Sequence, residues 1–125
     1  MKLEIEQINN PLVINSYGNN SFTINNINHL GSIIISDKKK IISIKNKETI
    51  YSNSFIEFVI NRKPLIDLFI FGTGEEVTDL PKKLSNSLSE NNINTEVMKT
   101  SSACRTWNIL TSENRRTAAI LKAVN

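Results

Sequence analysis

The chain has 125 residues and a net charge of +3, from 15 basic and 12 acidic side chains, with one cysteine and one histidine. A chain of this length buries roughly 65–70% of its unfolded surface, so a single domain over 1–125 is expected without metal or disulfide support. One cysteine excludes an intrachain disulfide, one Cys with one His argues against structural zinc, and no apolar run is long enough to span a bilayer.

The basic excess is mild, and no aromatic stripe is interleaved with lysines as a single-strand binder requires, so no specific nucleic acid is expected. The 19 Ile and 18 Asn are spread along the whole chain, which fits codon bias in an AT-rich genome rather than a low-complexity tail.

The first half reads as short antiparallel strands. Leu12–Tyr17 is followed by the turn cluster Gly18-Asn19-Asn20. Phe22–Ile27 alternates like a half-buried strand, Gly31–Ser36 carries Ile33-Ile34-Ile35, and Ile41–Lys45 follows a hairpin tip at Asp37–Lys40. The pattern changes at Ser54, where Ser54-Phe55-Ile56-Glu57 fits a capping box and Phe55, Phe58 and Val59 share a helical face that Pro64 ends.

Leu65–Phe71 reads as a buried strand and Gly72-Thr73-Gly74 breaks it. A helix is predicted near Leu80–Glu90, with Pro81 in its first turn and Leu84 and Leu88 on one face. Thr95–Met98 is strand-like. A further helix spans about Ser101–Ser112, with Ser101-Ser102 as its cap. Ala103, Trp107 and Leu110 lie on one of its faces, and Arg105, Asn108 and Ser112 lie roughly opposite. Asn114 suits the left-handed position that stops a helix. Periodicity leaves Thr117–Val124 open between helix and strand. Alternating strands and helices in the second half imply a parallel pair with helical crossovers. The expected class is therefore α/β, with antiparallel N-terminal strands merging into a helix-flanked layer.

Residues 97–116 hold the only Cys, the only Trp and three of the four Arg. Cys104 sits on the apolar side of the predicted helix, where packing is the expected role rather than nucleophilic attack. Gly72-Thr73-Gly74 occupies the place of a phosphate loop but fails the fingerprint. Residue 77 is Val77, no Lys-Ser/Thr pair follows, and Glu75-Glu76 repel phosphate. A tight turn is the preferred reading. It leaves room for a pocket for an uncharged or cationic ligand at that sheet end, with Gly72, Thr73, Gly74 and Thr100 as its candidate residues. Glu113 is expected to form a structural ion pair with Arg116 or Arg105. Packing does not demand Arg105, Asn108 and Arg115, so a recognition surface competes there with a solvated face.

These residues carry a resemblance. Phe71-Gly72-Thr73-Gly74, followed by Met98-x-Thr100-x-x-Ala103-x-Arg105-Thr106-Trp107-Asn108-x-Leu110-x-x-Glu113-x-Arg115-Arg116, resembles a family of small α/β proteins of archaea, bacteria and mitochondria. That family includes mitochondrial NADH dehydrogenase (complex I) assembly factor three and the adipogenesis-associated domain proteins. The resemblance implies a three-layered fold with a central mixed sheet whose last strand is antiparallel to its neighbours, which makes Thr117–Ala123 a strand. Most members have no assigned activity, and the mitochondrial ones bind partner proteins at the inner membrane.

The resemblance implies a bacterial, non-enzymatic, assembly-factor-like protein without cofactor or metal. It would be cytoplasmic with at most peripheral contact at the inner membrane. Its protein partner, a membrane complex or its assembly machinery, would dock on Arg105, Asn108, Arg115 and Arg116. A small-molecule binder or enzyme at the Gly72–Gly74 sheet end is the alternative, and a homo-oligomeric subunit is a third reading.

Overall fold

The computed structural model describes residues 11–37, 40–44, 60–61 and 65–125. The capping box at 54–57, the helix it would start and Pro64 fall outside the described residues, as do Lys38, Lys39 and Lys45.

Three strands, β1 (Ile14–Gly18), β2 (Ser21–Ile24) and β3 (Ile27–Leu30), form a small antiparallel sheet in sequence order. Its two connections are Asn19-Asn20 and Asn25-Asn26, and all four asparagines have positive φ, between 47° and 69°. Two-residue hairpins twist correctly only when both central residues are left-handed, a conformation that asparagine tolerates. The second doublet corrects the sequence reading, because it divides the expected strand Phe22–Ile27 into β2 and the start of β3.

Five strands form the second sheet: β4 (Ser32–Ser36), β5 (Lys40–Ile44), β6 (Leu68–Gly72), β7 (Asn94–Met98) and β8 (Thr117–Leu121), in the order β5-β4-β8-β6-β7. Strand β6 pairs in parallel with both β7 and β8, and β4 pairs antiparallel with β5 and β8. The last strand is therefore antiparallel to one neighbour and parallel to the other, which corrects the expectation that it opposes both. Two consecutive crossovers explain this. The chain leaves β6 through α1 (Lys82–Glu90) to β7, then returns through α2 (Thr100–Ser112) across β6 to β8. Both crossovers end on parallel strands but step in opposite directions. Right-handed connections then place the two helices on opposite faces of the sheet.

Side-chain alternation divides the core accordingly. Phe69, Phe71, Ala118, Ile120 and Ile34 pack on the α1 side with Leu84 and Leu88, and the Phe69 and Phe71 rings stack at 4.5 Å. Ile33, Ile35, Ile70, Ala119 and Leu121 pack on the α2 side with Ala103, Cys104 and Trp107, and with Phe22 and Ile24 of the small sheet. The result is three layers: α1, the mixed sheet, and α2 with the small sheet. Every residue of β8 is buried, so the strand has no polar-apolar alternation by which a sequence reading could recognise it.

Helix ends follow local chemistry. Pro81 precedes α1 at its N-cap rather than standing within the first turn. Helix α2 begins at Thr100, with Lys99 as N-cap and no side-chain cap bond, so Ser101 and Ser102 lie inside the helix. Asn92 and Asn114, with φ of 61° and 59°, stop the two helices as left-handed residues. At each, the next residue donates back into the last turn: Ile93 N–H to Leu88 O and Arg115 N–H to Leu110 O.

Candidate functional site

The sequence motif becomes a set of structural joints in the fold. Gly72 ends β6 beneath α2, and a Cβ placed there would meet Ala103 Cβ at 3.0 Å, Leu121 Cδ2 at 3.1 Å and Thr100 Cα at 3.1 Å. The close approach of the helix, whose own contact residue is the small Ala103, favours glycine at this position, because a Cβ would force these neighbours to shift by a few tenths of an ångström. Thr100, fully buried at the start of α2, joins two loops. Its Oγ1 donates to Lys122 O at 2.8 Å and accepts from Gly74 N–H at 2.9 Å, while its own N–H donates to Gly74 O at 2.9 Å.

Thr73 organises the turn in the same way. Its hydroxyl donates to Glu76 O at 2.8 Å, accepts from Thr78 N–H at 3.1 Å and lies 3.3 Å from Met98 O. Because β6, β7 and β8 run parallel, their C-terminal ends lie together at Gly72, Met98 and Leu121. The segments leaving β6 and β8, with Asn20 and Ser32, border a cleft of about 470 Å³, whose walls include Thr73, Gly74, Glu75, Glu76 and Lys122. Of the four residues expected at this sheet end, Thr73 and Gly74 line the cleft. Gly72 and Thr100 stand behind it as supports.

The polar side of α2 is also divided. Asn108 is committed internally, because its Oδ1 accepts from Ile14 N–H at 2.8 Å and its Nδ2 donates to Ile14 O at 3.0 Å. One amide thus satisfies both backbone groups of a β1 residue. Trp107, fully buried, donates its indole N–H to Leu12 O at 2.7 Å. Arg116 clips the approach to β6, with Nε donating to Leu65 O at 2.9 Å and the guanidinium 3.0 Å from Asp67. Asp67 therefore takes the position that the sequence reading offered to Glu113. Arg105 and Arg115 are exposed, and among the described residues neither side chain makes a hydrogen bond or ion pair. On the outward side of α2, one helical turn after Arg105, stands Ile109, 59% exposed. In the sequence its only signal is that spacing from Arg105.

Cys104 is buried, and burial pushes its thiol up to about 12 against the opposing influence of Arg105. A thiol held protonated in this way is a poor nucleophile near neutral pH. His29 lies half-buried on β3, one of the two edge strands of the small sheet among the described residues. Among the same residues, no group of three acidic, His or Cys side chains converges as a metal site.

Fold and site together define a small α/β protein whose motif residues mostly hold helix to sheet. The chain belongs to the family described as Protein of unknown function (DUF498/DUF598), which matches residues 14–122. It is similar to the 13 kDa major membrane protein of Francisella tularensis, at 25% identity over 97% of this chain and 98% of that protein. It is also similar to the NADH dehydrogenase [ubiquinone] 1 alpha subcomplex assembly factor 3 of Drosophila melanogaster, at 30% identity over 88% of this chain. The match spans only 58% of the fly protein's length. Among solved structures, an outer membrane protein from Bartonella henselae superimposes with a TM-score of 0.82 at 33% identity, over 94% of this chain and 99% of that one. No helix among the described residues is long and apolar enough to cross a membrane.

Proposed function

We propose that this chain is a non-enzymatic interaction protein of the assembly-factor type. It docks on a respiratory or other membrane complex, or on the machinery that assembles one, through the outward side of α2 and the turn after it. The observation that carries this reading is the pair Arg105 and Arg115, exposed and without a hydrogen-bond or ion-pair partner among the described residues, together with the exposed Ile109 one helical turn after Arg105. Arginine is enriched at the centres of protein interfaces, and an exposed apolar side chain beside one supplies area to bury there. Asn108 and Arg116 frame the face by fixing β1 and the approach to β6 against it. The relationship to assembly factor 3 supports the choice of partner class. On this reading the protein is cytoplasmic and meets the inner membrane only peripherally, through its partner.

Affinity capture from gently solubilised membranes tests the proposal, with wild type compared against Arg105→Glu and Arg115→Glu. The expected result is recovery of subunits of one membrane complex by the wild type and their loss in both variants. Retention of the same subunits by folded variants would remove the α2 face from the proposal.

A further inference from the structure

A different part of the molecule carries a second assignment, independent of the docking face. The cleft beyond the C-terminal ends of the parallel strands β6 and β8 lies where open α/β sheets place their ligands, and its volume of about 470 Å³ falls within the range of small-molecule sites. It has two arms of opposite charge. One arm is the loop after β6, with Glu75 and Glu76; the other is Lys122, just past β8.

Both arms are mounted on the same hydrogen-bonded frame. Thr100 bonds Gly74 on the first arm and the Lys122 carbonyl on the second, and Lys122 N–H donates to Gly72 O at 2.9 Å. Thr73 bonds Glu76 and Thr78, so the acidic loop is held at both of these points as well as at Gly74. The backbone spacing between the arms is therefore set before any ligand arrives, which lowers the ordering cost of binding. The Lys122 side chain runs beside Gly74, yet no ion pair joins it to Glu75 or Glu76. The two charges share one cleft without neutralising each other.

We propose that this cleft binds a small zwitterion of the α-amino-acid or short-peptide class. Its ammonium group lies at Glu75 and Glu76, and its carboxylate lies at Lys122. A phosphate-bearing ligand does not fit, because two carboxylates outnumber the single cation. A plain amine leaves the lysine unused.

The test is an amide nuclear magnetic resonance titration of the full chain with alanine and alanylalanine. Ethylamine and propionate serve as the half-ligands. The expected result is saturable movement of the Gly74, Glu75, Glu76 and Ala123 signals with at least one zwitterion. Each half-ligand should bind about fivefold more weakly, the order of one exposed ion pair. Lys122→Gln and Glu75→Gln/Glu76→Gln should each weaken binding by about the same factor while the rest of the spectrum is unchanged. Absence of saturation by either zwitterion in the millimolar range overturns the assignment. So does a half-ligand that binds as well as the zwitterion, or unchanged affinity in both variants.

Discussion

Replacing Thr100 by valine separates a structural threonine from a ligand-binding one. Valine keeps the volume and the branched shape, so the buried site stays filled. What is lost is the hydroxyl, which accepts from Gly74 N–H at 2.9 Å and donates to Lys122 O at 2.8 Å. The Gly74 bond is buried, and leaving its N–H without a partner costs about 1–3 kcal/mol. The Lys122 carbonyl is only partly buried, so water recovers part of that loss, and the sum is roughly 2–4 kcal/mol. Against a typical domain stability of about 5–15 kcal/mol, that is a large fraction. Urea unfolding followed by Trp107 fluorescence measures it, because this is the only tryptophan and it is fully buried. Thr100→Ser is the control: it keeps the hydroxyl, loses one methyl group and should cost only about 1 kcal/mol. If valine proves as stable as wild type, or serine proves worse than valine, the hydroxyl does not hold the two loops together and the reasoning fails.

Gly72→Ala should destabilise by about 1–3 kcal/mol through overpacking against Ala103 and Leu121, read as a lower urea midpoint at an unchanged slope. Asn108→Ala orphans both backbone groups of Ile14 and should cost about 2 kcal/mol, with hydrogen exchange rising first in β1. Cys104 gives a signed pH dependence. Its folded pKa of about 12 lies above the ordinary 9.0, so the unfolded chain ionises first and stability falls between those values. Cys104→Ala should flatten that part of the stability curve relative to wild type. The native thiol should also resist iodoacetamide at pH 8 until the protein is unfolded.

Much of the fold was legible where local chemistry determines it. The leucines of α1, the left-handed Asn114 and the apolar run of β6 follow from spacing and composition, and their structural counterparts lie within a few residues of the expected bounds. The Asn25-Asn26 hairpin carried the same signal as Asn19-Asn20. It was hidden because Phe22, Ile24 and Ile27 still look like one strand. Strand β8 was legible only through the family resemblance and not from its own pattern, for a different reason. Its burial on both faces is a tertiary fact, and Thr117–Leu121 has no period of its own.

The site was legible as a cluster but not as a division of labour. Nothing local distinguishes Asn108, which spends its amide on a strand 94 residues away, from Arg105, one turn before Ile109, which faces solvent. Only the returning crossover through α2 brings Ile14 beside Asn108, and only the same packing leaves Ile109 outside the core.

The central claim is that the outward side of α2 meets a protein partner. Photo-crosslinking tests it most directly, with a photoreactive residue placed at Ile109 and, as the comparison, at the exposed Ser89 of α1. The account predicts a discrete adduct with one membrane-complex subunit from position 109 and none from position 89. Equal adducts from both positions, or none from 109 when the complex is present, would contradict it.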